Sequence, residues 1–273
     1  LIFNVKLPSG NRMFKFKTLK YNLYSFVKIL IYKFYFNTFY DYKQINNSEI
    51  IIHHHSGLGD AIICNGMVNH LSEKFDKIYL AAHYKIYDHL DYLYSENDVV
   101  ELLHYEKAID LYKNKKLPVL RIGFEKNKKN FNTSFYEQLD LDYEISFDMF
   151  HIPIDDYKEN DLQNHLIDEY KVKNQFILIH QVSSYGRVDV EIQSDLTKIY
   201  VEKKTDIFKN IFLYKKVIEN SQEIHCIDSS FLHLVERVPT SAKLYFHSAK
   251  TNTQKAEKLY LKRKWEIIDY YGN

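Results

Sequence analysis

The chain has 273 residues, which is long enough for one large domain or two small ones. Hydrophobic residues make up 45% of it and charged residues 27%, so the composition predicts a folded protein and excludes an intrinsically disordered one. The net charge is only +1, yet residues 1–40 carry seven basic side chains and no acidic one. The remainder has an acidic excess, which disfavours nucleic acid as a partner.

The two cysteines, Cys64 and Cys226, predict neither a disulfide nor a zinc site. Neither belongs to a CxxC pair, and the pattern of elements places them in different domains. The first residues lack the sustained apolar core of a signal peptide, and their longest apolar run, residues 29–32, is much shorter than a membrane span. These features predict a cytoplasmic protein.

The segment 11–40 alternates aromatic and aliphatic side chains with lysines, and its apolar residues between positions 23 and 34 recur at helical spacing. It has two interpretations. A basic, aromatic helix of this kind suits the surface of an anionic membrane, which would make the protein peripheral there. The same spacing also suits a helix whose apolar side packs on the main body.

From Glu49 onward, strand and helix patterns alternate. Four short apolar runs read as strands, and the segments between and after them have helical spacing. This repetition predicts a parallel sheet with helices on both faces. The predicted strands are residues 50–54, 77–82, 99–103 and 119–124; the predicted helices are residues 61–75, 84–95, about 104–114 and 134–141.

The pattern restarts after an acidic segment, residues 155–164, which reads as a link between two halves and is partly helical up to residue 170 in one interpretation. The second half predicts strands at residues 176–182, 198–201, 223–227, 244–247 and 265–268, with helices at 207–220 and 229–237 and a polar turn at 183–189. The chain therefore divides into an N-terminal extension (1–47), a first α/β domain (48–160) and a second one (161–273).

The first motif that could carry chemistry is Ser56-Gly57-Leu58-Gly59-Asp60, between a strand and a helix. Its two glycines allow a ligand or another backbone to approach closely. Asp60, exposed at the carboxyl end of a parallel strand, is either a general base or only a favourable acid at a helix start. A dinucleotide fingerprint is excluded because its third glycine position is Ile62 and its second strand ends without an acid. A P-loop is excluded because no GxxxxGK[ST] occurs.

Three consecutive histidines, residues 53–55, precede this motif and resemble a metal cluster. Adjacent residues of a strand point to opposite faces, so three in a row do not converge on one ion. We therefore predict no metal site here, although His55 is a candidate for the lining of a cleft.

Two further motifs follow strands in the second half. Either they hold the phosphates of a nucleotide, through hydroxyl groups, backbone N–H groups and a cation, or they are an ordinary helix cap and a surface loop. His233 lies three residues beyond Ser230, which places both on one helix face. The candidate residues are Asp228, Ser229, Ser230 and His233 in one motif, and His180, Ser183, Ser184 and Arg187 in the other.

Together, strand–GLGD–helix and strand–D-[ST]-x-x-x-H–helix resemble the glycosyltransferases of the ADP-heptose:lipopolysaccharide heptosyltransferase type (glycosyltransferase family 9). Related capsular polysaccharide proteins similarly carry a segment like residues 134–139, Ser-Phe-Tyr-Glu-Gln-Leu. The resemblance covers about residues 50–268. It departs from the family at Ser230, where the heptosyltransferases usually have glycine.

The resemblance implies a GT-B fold, in which two Rossmann-like domains face each other across a cleft. It implies a nucleotide-sugar donor on the C-terminal half, near Ser229, Ser230 and His233, and a glycan or lipid-linked acceptor. Asp60 matches the family's proposed base, and transfer would be inverting and need neither a metal nor another cofactor. Two other functions stay open: a non-catalytic sugar-nucleotide or glycan-binding protein on the same scaffold, and another Rossmann-type enzyme.

Overall fold

The structure is a computed structural model that describes residues 41–54, 57–123, 130–184, 186–248 and 259–270. The predicted N-terminal helix at 11–40 lies outside the described residues, as do the candidate site residues His55 and Ser56. No helix of the described ranges is long and apolar enough to cross a membrane.

Two separate parallel sheets form the centre of the molecule, and each strand follows an apolar run of the sequence. The N-terminal sheet has the order β3-β2-β1-β4, and the C-terminal sheet has the order β11-β10-β9-β5-β8. A third pair, β6-β7, is a small antiparallel hairpin. The strands are β1 (Glu49–His54), β2 (Lys77–Ala82), β3 (Val100–His104), β4 (Val119–Ile122), β5 (Phe176–His180), β6 (Val182–Ser183), β7 (Gly186–Arg187), β8 (Thr197–Tyr200), β9 (Glu223–Cys226), β10 (Lys243–Ser248) and β11 (Trp265–Asp269).

Helices connect most of these strands. They are α1 (Leu58–Ser72), α2 (Tyr87–Leu93), α3 (Tyr105–Lys115), α4 (Ser134–Glu137), α5 (Ile145–Asp148), α6 (Asp156–Glu169), α7 (Lys215–Glu219) and α8 (Ser230–Val235). The α/β class and the parallel sheets predicted from the alternating pattern are confirmed.

The central strand β1 is buried on both faces, which is the reason for its unbroken isoleucine run. Ile50 and Ile52 belong to the main core, whereas Ile51 points to the smaller cluster under α3. All three side chains are fully buried. The core thus fixes the end of β1, which precedes α1 by three residues.

Helix α1 is buried nearly all round, because it packs against its own sheet and also against α5 and α8. A methyl group at Gly66 would lie 2.3 Å from the Ile145 carbonyl oxygen of α5, so only glycine permits this contact. The Tyr136 hydroxyl donates to the Ile63 carbonyl (2.7 Å) and accepts from the Met67 N–H (3.1 Å) of α1. The segment 134–139 therefore supports α1 from the side.

Two element predictions need correction. The predicted helix at 207–220 starts later, as a 3-10 helix (Ile211–Tyr214) followed by α7, because side chains cap the preceding turn. Asp206 accepts the Phe208 N–H at 3.2 Å, and Asn210 accepts the Phe212 N–H at 3.1 Å. The predicted link at 155–164 is mostly the start of helix α6, for which Asp155 is the N-cap.

In its described residues, the connection from β5 to β8 contains no helix, which is unusual for a parallel pair. The β6-β7 hairpin leads instead into an extended strap, residues 188–192. Residues of three strands or their ends hold the strap: Gln181 accepts the Val188 N–H (2.9 Å), Tyr270 accepts the Glu191 N–H (3.2 Å), and Lys198 donates to the Ile192 carbonyl (2.8 Å). The strap thus lies against the C-terminal sheet beside the end of β5.

Candidate active site

The first turn of helix α1 places a carboxylate at the carboxyl end of the N-terminal sheet. Gly57 is the N-cap of α1, and Asp60 is the third residue of the helix. One Asp60 carboxylate oxygen accepts the Gly57 N–H at 2.9 Å, which closes a capping interaction across the first turn. Only 8% of Asp60 is exposed, so the carboxylate is held in a defined and largely dehydrated position.

The turn between β9 and α8 places three polar residues, Asp228, Ser229 and Ser230, at the carboxyl end of the C-terminal sheet. Ser229 is the N-cap of α8 and accepts the Leu232 N–H at 3.4 Å. Its hydroxyl also lies 3.0 Å from Nδ1 of His180, the last residue of the neighbouring strand β5. The His180 ring stacks on Phe231, with centroids 5.1 Å apart. This contact joins the ends of β5 and β9 through side chains that the sequence marked as candidates.

The first turns of α1 and α8 approach each other closely. A methyl group at Gly59 would lie 3.0 Å from the His233 ring and 3.5 Å from the Ser230 Cα. The second glycine of the motif is therefore explained by this contact between the two halves. The structure brings together Asp60, Ser230 and His233, as the pairing of the two motifs predicts, and Ser229, Asp228 and His180 adjoin them.

Burial shifts the ionisation of this group of residues. Burial, and to a lesser extent the nearby charge of Asp60, raises the pKa of Asp228 to about 6. Burial lowers the pKa of His180 to about 4. It also lowers the pKa of His233 to about 3, an effect to which the charge of Arg237 adds and which Asp60 opposes. Both imidazoles are neutral at pH 7, so they act here as hydrogen-bonding groups and supply no positive charge.

Arg237 is a buried cation beside this site that sequence reasoning missed. It donates to the His233 carbonyl (3.0 Å) on its own helix side and to the Ser146 carbonyl (3.0 Å) on α5. Its guanidinium also lies 4.8 Å from the centre of the Phe147 ring. The only signal in the sequence was its position four residues after His233. Arg237 fixes the end of α8 to the half of the molecule that carries α1.

The β6-β7 hairpin holds the remaining predicted residues, Ser183, Ser184 and Arg187, next to the end of β5. The Arg187 guanidinium is half exposed and is already paired with Asp189 (2.7 Å) and Glu202 (3.0 Å). The guanidinium that was predicted to neutralise a diphosphate is thus already paired with two carboxylates.

The free cysteines Cys64 and Cys226 are both buried.

Comparison with known proteins bears on the fold. No protein-family model matches the chain, and no curated protein sequence matches it significantly. A solved structure of a glycosyl transferase of family 9 from Veillonella parvula DSM 2008 matches 84% of this chain and 86% of its own, with a TM-score of 0.55 and 11% identity. The chain has a GT-B-like fold. The structure of E. coli ADP-heptose lps heptosyltransferase II matches 81% of this chain and 90% of its own, with a TM-score of 0.47 and 10% identity.

This GT-B-like fold confirms the resemblance predicted from the two motifs, at the level of the architecture. Each motif lies at the carboxyl ends of the strands of its sheet, which is where ligands bind in open parallel sheets. Because α1 and α8 touch at Gly59, the edges formed by the carboxyl ends of the strands in the two sheets adjoin each other.

Proposed function

We propose that this protein is a glycosyltransferase that moves a sugar from a nucleotide-sugar donor to a hydroxyl group of a glycan or glycolipid. The observation that carries the proposal is the meeting of Asp60 with the residues around Ser230, between two parallel sheets, in a GT-B-like fold. A base from one half and a donor site from the other are what such a transfer needs. The first α/β half (48–160) would bind the acceptor and the second (161–273) the donor.

In the proposed reaction Asp60 is the general base. Its carboxylate takes the proton of the acceptor hydroxyl as the oxygen attacks the anomeric carbon of the donor sugar. The bond between that carbon and the diphosphate oxygen breaks, and the nucleoside diphosphate leaves with the electron pair. Attack from the side opposite to the leaving group inverts the anomeric configuration. The hydrogen bond from the Gly57 N–H holds the carboxylate in position for this proton transfer.

The donor diphosphate would lie against the hydroxyl groups at the carboxyl end of the C-terminal sheet. Ser229 and Ser230 lie at the start of α8, which contacts α1 at Gly59. The hairpin serines Ser183 and Ser184 follow the adjacent strand β5. Hydroxyl donors oriented in advance stabilise a leaving diphosphate without a metal ion. We therefore propose transfer that is inverting and independent of metal, with the nucleotide sugar as the only activated species.

The decisive experiment separates donor binding from turnover. Nucleoside diphosphate release from a panel of UDP-, GDP-, ADP- and dTDP-sugars is measured with simple glycosides and with water as acceptors. We expect Asp60→Asn to keep donor affinity and to lose about 10²–10⁴-fold in rate, which is the usual contribution of a general base. The matched control is Asp76→Asn, an exposed aspartate beyond the opposite end of α1. Full activity in Asp60→Asn would remove Asp60 from the mechanism.

One observation favours a second function, binding of a sugar nucleotide without transfer. Arg187 is already paired with Asp189 and Glu202, so its charge is less available to a leaving diphosphate. Saturable binding of a nucleotide sugar without release of nucleotide, across a broad acceptor panel, would establish this second function in place of the first.

We further propose that the basic segment 11–40 holds the protein at an anionic membrane surface, where a lipid-linked acceptor would be found. Co-sedimentation of the full chain with vesicles tests this directly. Binding to vesicles with 30% anionic lipid that weakens with added salt is expected. Equal recovery with neutral and anionic vesicles would contradict it.

A further inference from the structure

Gln181 is a buried amide with an unused donor at the end of strand β5. The residue is only 3% exposed. Its carbonyl accepts the Val188 N–H at 2.9 Å, and its side-chain oxygen accepts the Val190 N–H at 3.5 Å. Its side-chain nitrogen has no hydrogen-bond partner in the part of the chain that the structure describes. Buried donors are nearly always paired, so this one calls for an explanation.

The position of Gln181 is the place where an open parallel sheet binds ligands. From β5 the chain proceeds to β8 on one side of the sheet order, whereas from β9 it proceeds to β10 on the other. The carboxyl ends of β5 and β9 therefore flank the crevice where the strand order reverses. His180 and Gln181 stand at one side of this crevice, and Asp228 and Ser229 at the other.

His180 and Gln181, at the end of β5, point to opposite faces of the sheet. His180 reaches Ser229 and stacks on Phe231, on the α8 side. Successive residues of an extended chain point to opposite faces, so the Gln181 amide is directed away from α8. Its bond to Val190 confirms that it lies beneath the strap. A ligand held at Ser229 on one side can thus extend past the end of β5 to Gln181 on the other.

We propose that Gln181 binds the nucleoside part of the donor, donating from its side-chain amide to a carbonyl oxygen or ring nitrogen at one position of the base. This inference rests on the proposed function, which assigns the diphosphate to the serines at 229 and 230. A neutral amide donor suits a base edge, whereas a diphosphate would call for cations and hydroxyl groups. Access requires the strap to shift at Val190, whose bond to Gln181 is at the long limit of a hydrogen bond.

The test is a calorimetric titration of the full chain with UDP, GDP, ADP, CDP and dTDP. The variants are Gln181→Met, which keeps the shape and removes the donors, and Gln181→Glu, which replaces the donor with an acceptor. The matched control is Gln193→Met, an exposed glutamine beside the strap. Thermal melting of each variant without nucleotide is measured alongside.

We expect both Gln181 variants to bind the preferred nucleoside diphosphate about tenfold more weakly, the effect of one lost hydrogen bond, and to discriminate less among the five bases. Gln181→Met should melt at the same temperature as the wild type or higher, because it removes an unpaired buried donor. A residue with a purely structural role would instead lower the melting temperature and weaken all five nucleotides equally.

Three results would overturn the inference. One is unchanged base discrimination in both variants, and another is a wild type that binds all five bases equally; each leaves the proposed function standing. The third is a wild type that binds no nucleoside diphosphate, which contradicts the proposed function itself and the Gln181 assignment with it.

Discussion

Asp228 is a residue of the candidate site that costs the folded protein stability at neutral pH. Its carboxyl group is partly buried and feels the charge of Asp60, and both facts favour the protonated form, which raises its pKa to about 6. At neutral pH the folded protein must keep this group charged in an unfavourable place. Perturbed carboxyl groups of this kind are characteristic of functional sites, where activity is favoured over stability.

We predict that Asp228→Asn stabilises the protein at neutral pH. A raised pKa contributes stability that is fully present below the unfolded value of 3.8 and is lost as pH rises through about 6. The variant does not titrate, so its advantage over the wild type should be absent near pH 3.5 and complete at pH 7.5. Urea unfolding at both pH values, with Asp76→Asn as control, measures this. The prediction would be contradicted if the variant and the wild type differed in unfolding free energy by the same amount at pH 3.5 and at pH 7.5.

Four histidines with lowered pKa values predict that stability depends on pH in the opposite direction. Burial lowers the pKa of each of them from 6.5 to about 4 or below; they are His180, His225, His233 and His247. Their contribution is present above pH 6.5 and is lost as pH falls toward 4, because the unfolded chain binds protons that the folded one excludes. These four histidines, with a smaller downward shift at His89, outweigh the opposite contributions of Asp228, Asp206 and Glu159, whose pKa values burial raises. The free energy of unfolding should fall between pH 6.5 and 4.5, and a constant value would contradict the account.

For single residues, the sequence predicts those whose place follows from a local strand–turn–helix pattern, and it misses those whose role depends on tertiary contacts. Asp60 and Ser230 each follow a strand and open a helix, so their place at a sheet edge follows from local pattern alone. Gln181 lies between the candidates His180 and Ser183, and Arg237 ends the predicted helix 229–237, yet only their tertiary partners show what they do. The engagement of Arg187 by Glu202, fifteen residues away, is likewise not readable from the sequence.

Among the elements, α1 carries the tightest constraint. The sequence indicates an amphipathic helix, yet α1 is packed on several sides, since α5 and α8 cover what a solvent-facing side would be. The two glycines of α1 mark these contacts. Gly66 faces the backbone of α5, whereas Gly59 faces the His233 ring of α8.

We predict that Gly66→Ala destabilises the protein by about 1–3 kcal/mol, in the range of an overpacked core. The new methyl group would meet the Ile145 carbonyl at 2.3 Å, and backbone does not yield easily. Gly59→Ala is the matched control, because its methyl group would meet an imidazole edge at 3.0 Å and also gains helix propensity. Denaturant unfolding should rank Gly66→Ala clearly below Gly59→Ala, and equal losses would refute the packing argument.

Elements with strong local signals were predictable and those set by side-chain caps were not. Strands β1 and β9 are short apolar runs that end in polar turns, and both were predicted within a residue or two. The turn at 207–210 has apolar residues at helical spacing, but Asp206 and Asn210 bond to the backbone and prevent the helix from starting.

For the whole molecule, the central feature is that the halves carrying the two sheets are joined beside the proposed site. Arg237 donates across the junction to the Ser146 carbonyl, and Asn132 pairs with the backbone of Tyr260 through both its amide atoms. These contacts hold Asp60 of one half and Ser230 of the other in fixed register. Precise register is what transfer between two bound substrates requires.

We predict that Arg237→Met uncouples the halves and lowers stability by about 1.5–3 kcal/mol, the usual value for a charged hydrogen bond. Arg263→Met is the matched control, since Arg263 donates to the carbonyls of Glu236, Val238 and Thr240, all within the C-terminal half. Fluorescence of the single tryptophan, Trp265, reports that half, and far-ultraviolet circular dichroism reports both. Transitions should separate for Arg237→Met only; coincident transitions would contradict the coupling.

The most direct test of the central claim is a thermal-shift titration of the full chain with UDP, GDP, ADP, CMP and dTDP, with NAD and S-adenosylmethionine as controls. A ligand that binds only the folded state raises its stability by mass action, by about 2.7 kcal/mol at a hundredfold excess over Kd. The account predicts a shift with one of the nucleotides, lost in Ser230→Ala and kept in the control Ser95→Ala. The account would be contradicted if only NAD or S-adenosylmethionine shifted the melting temperature, or if none of the ligands did.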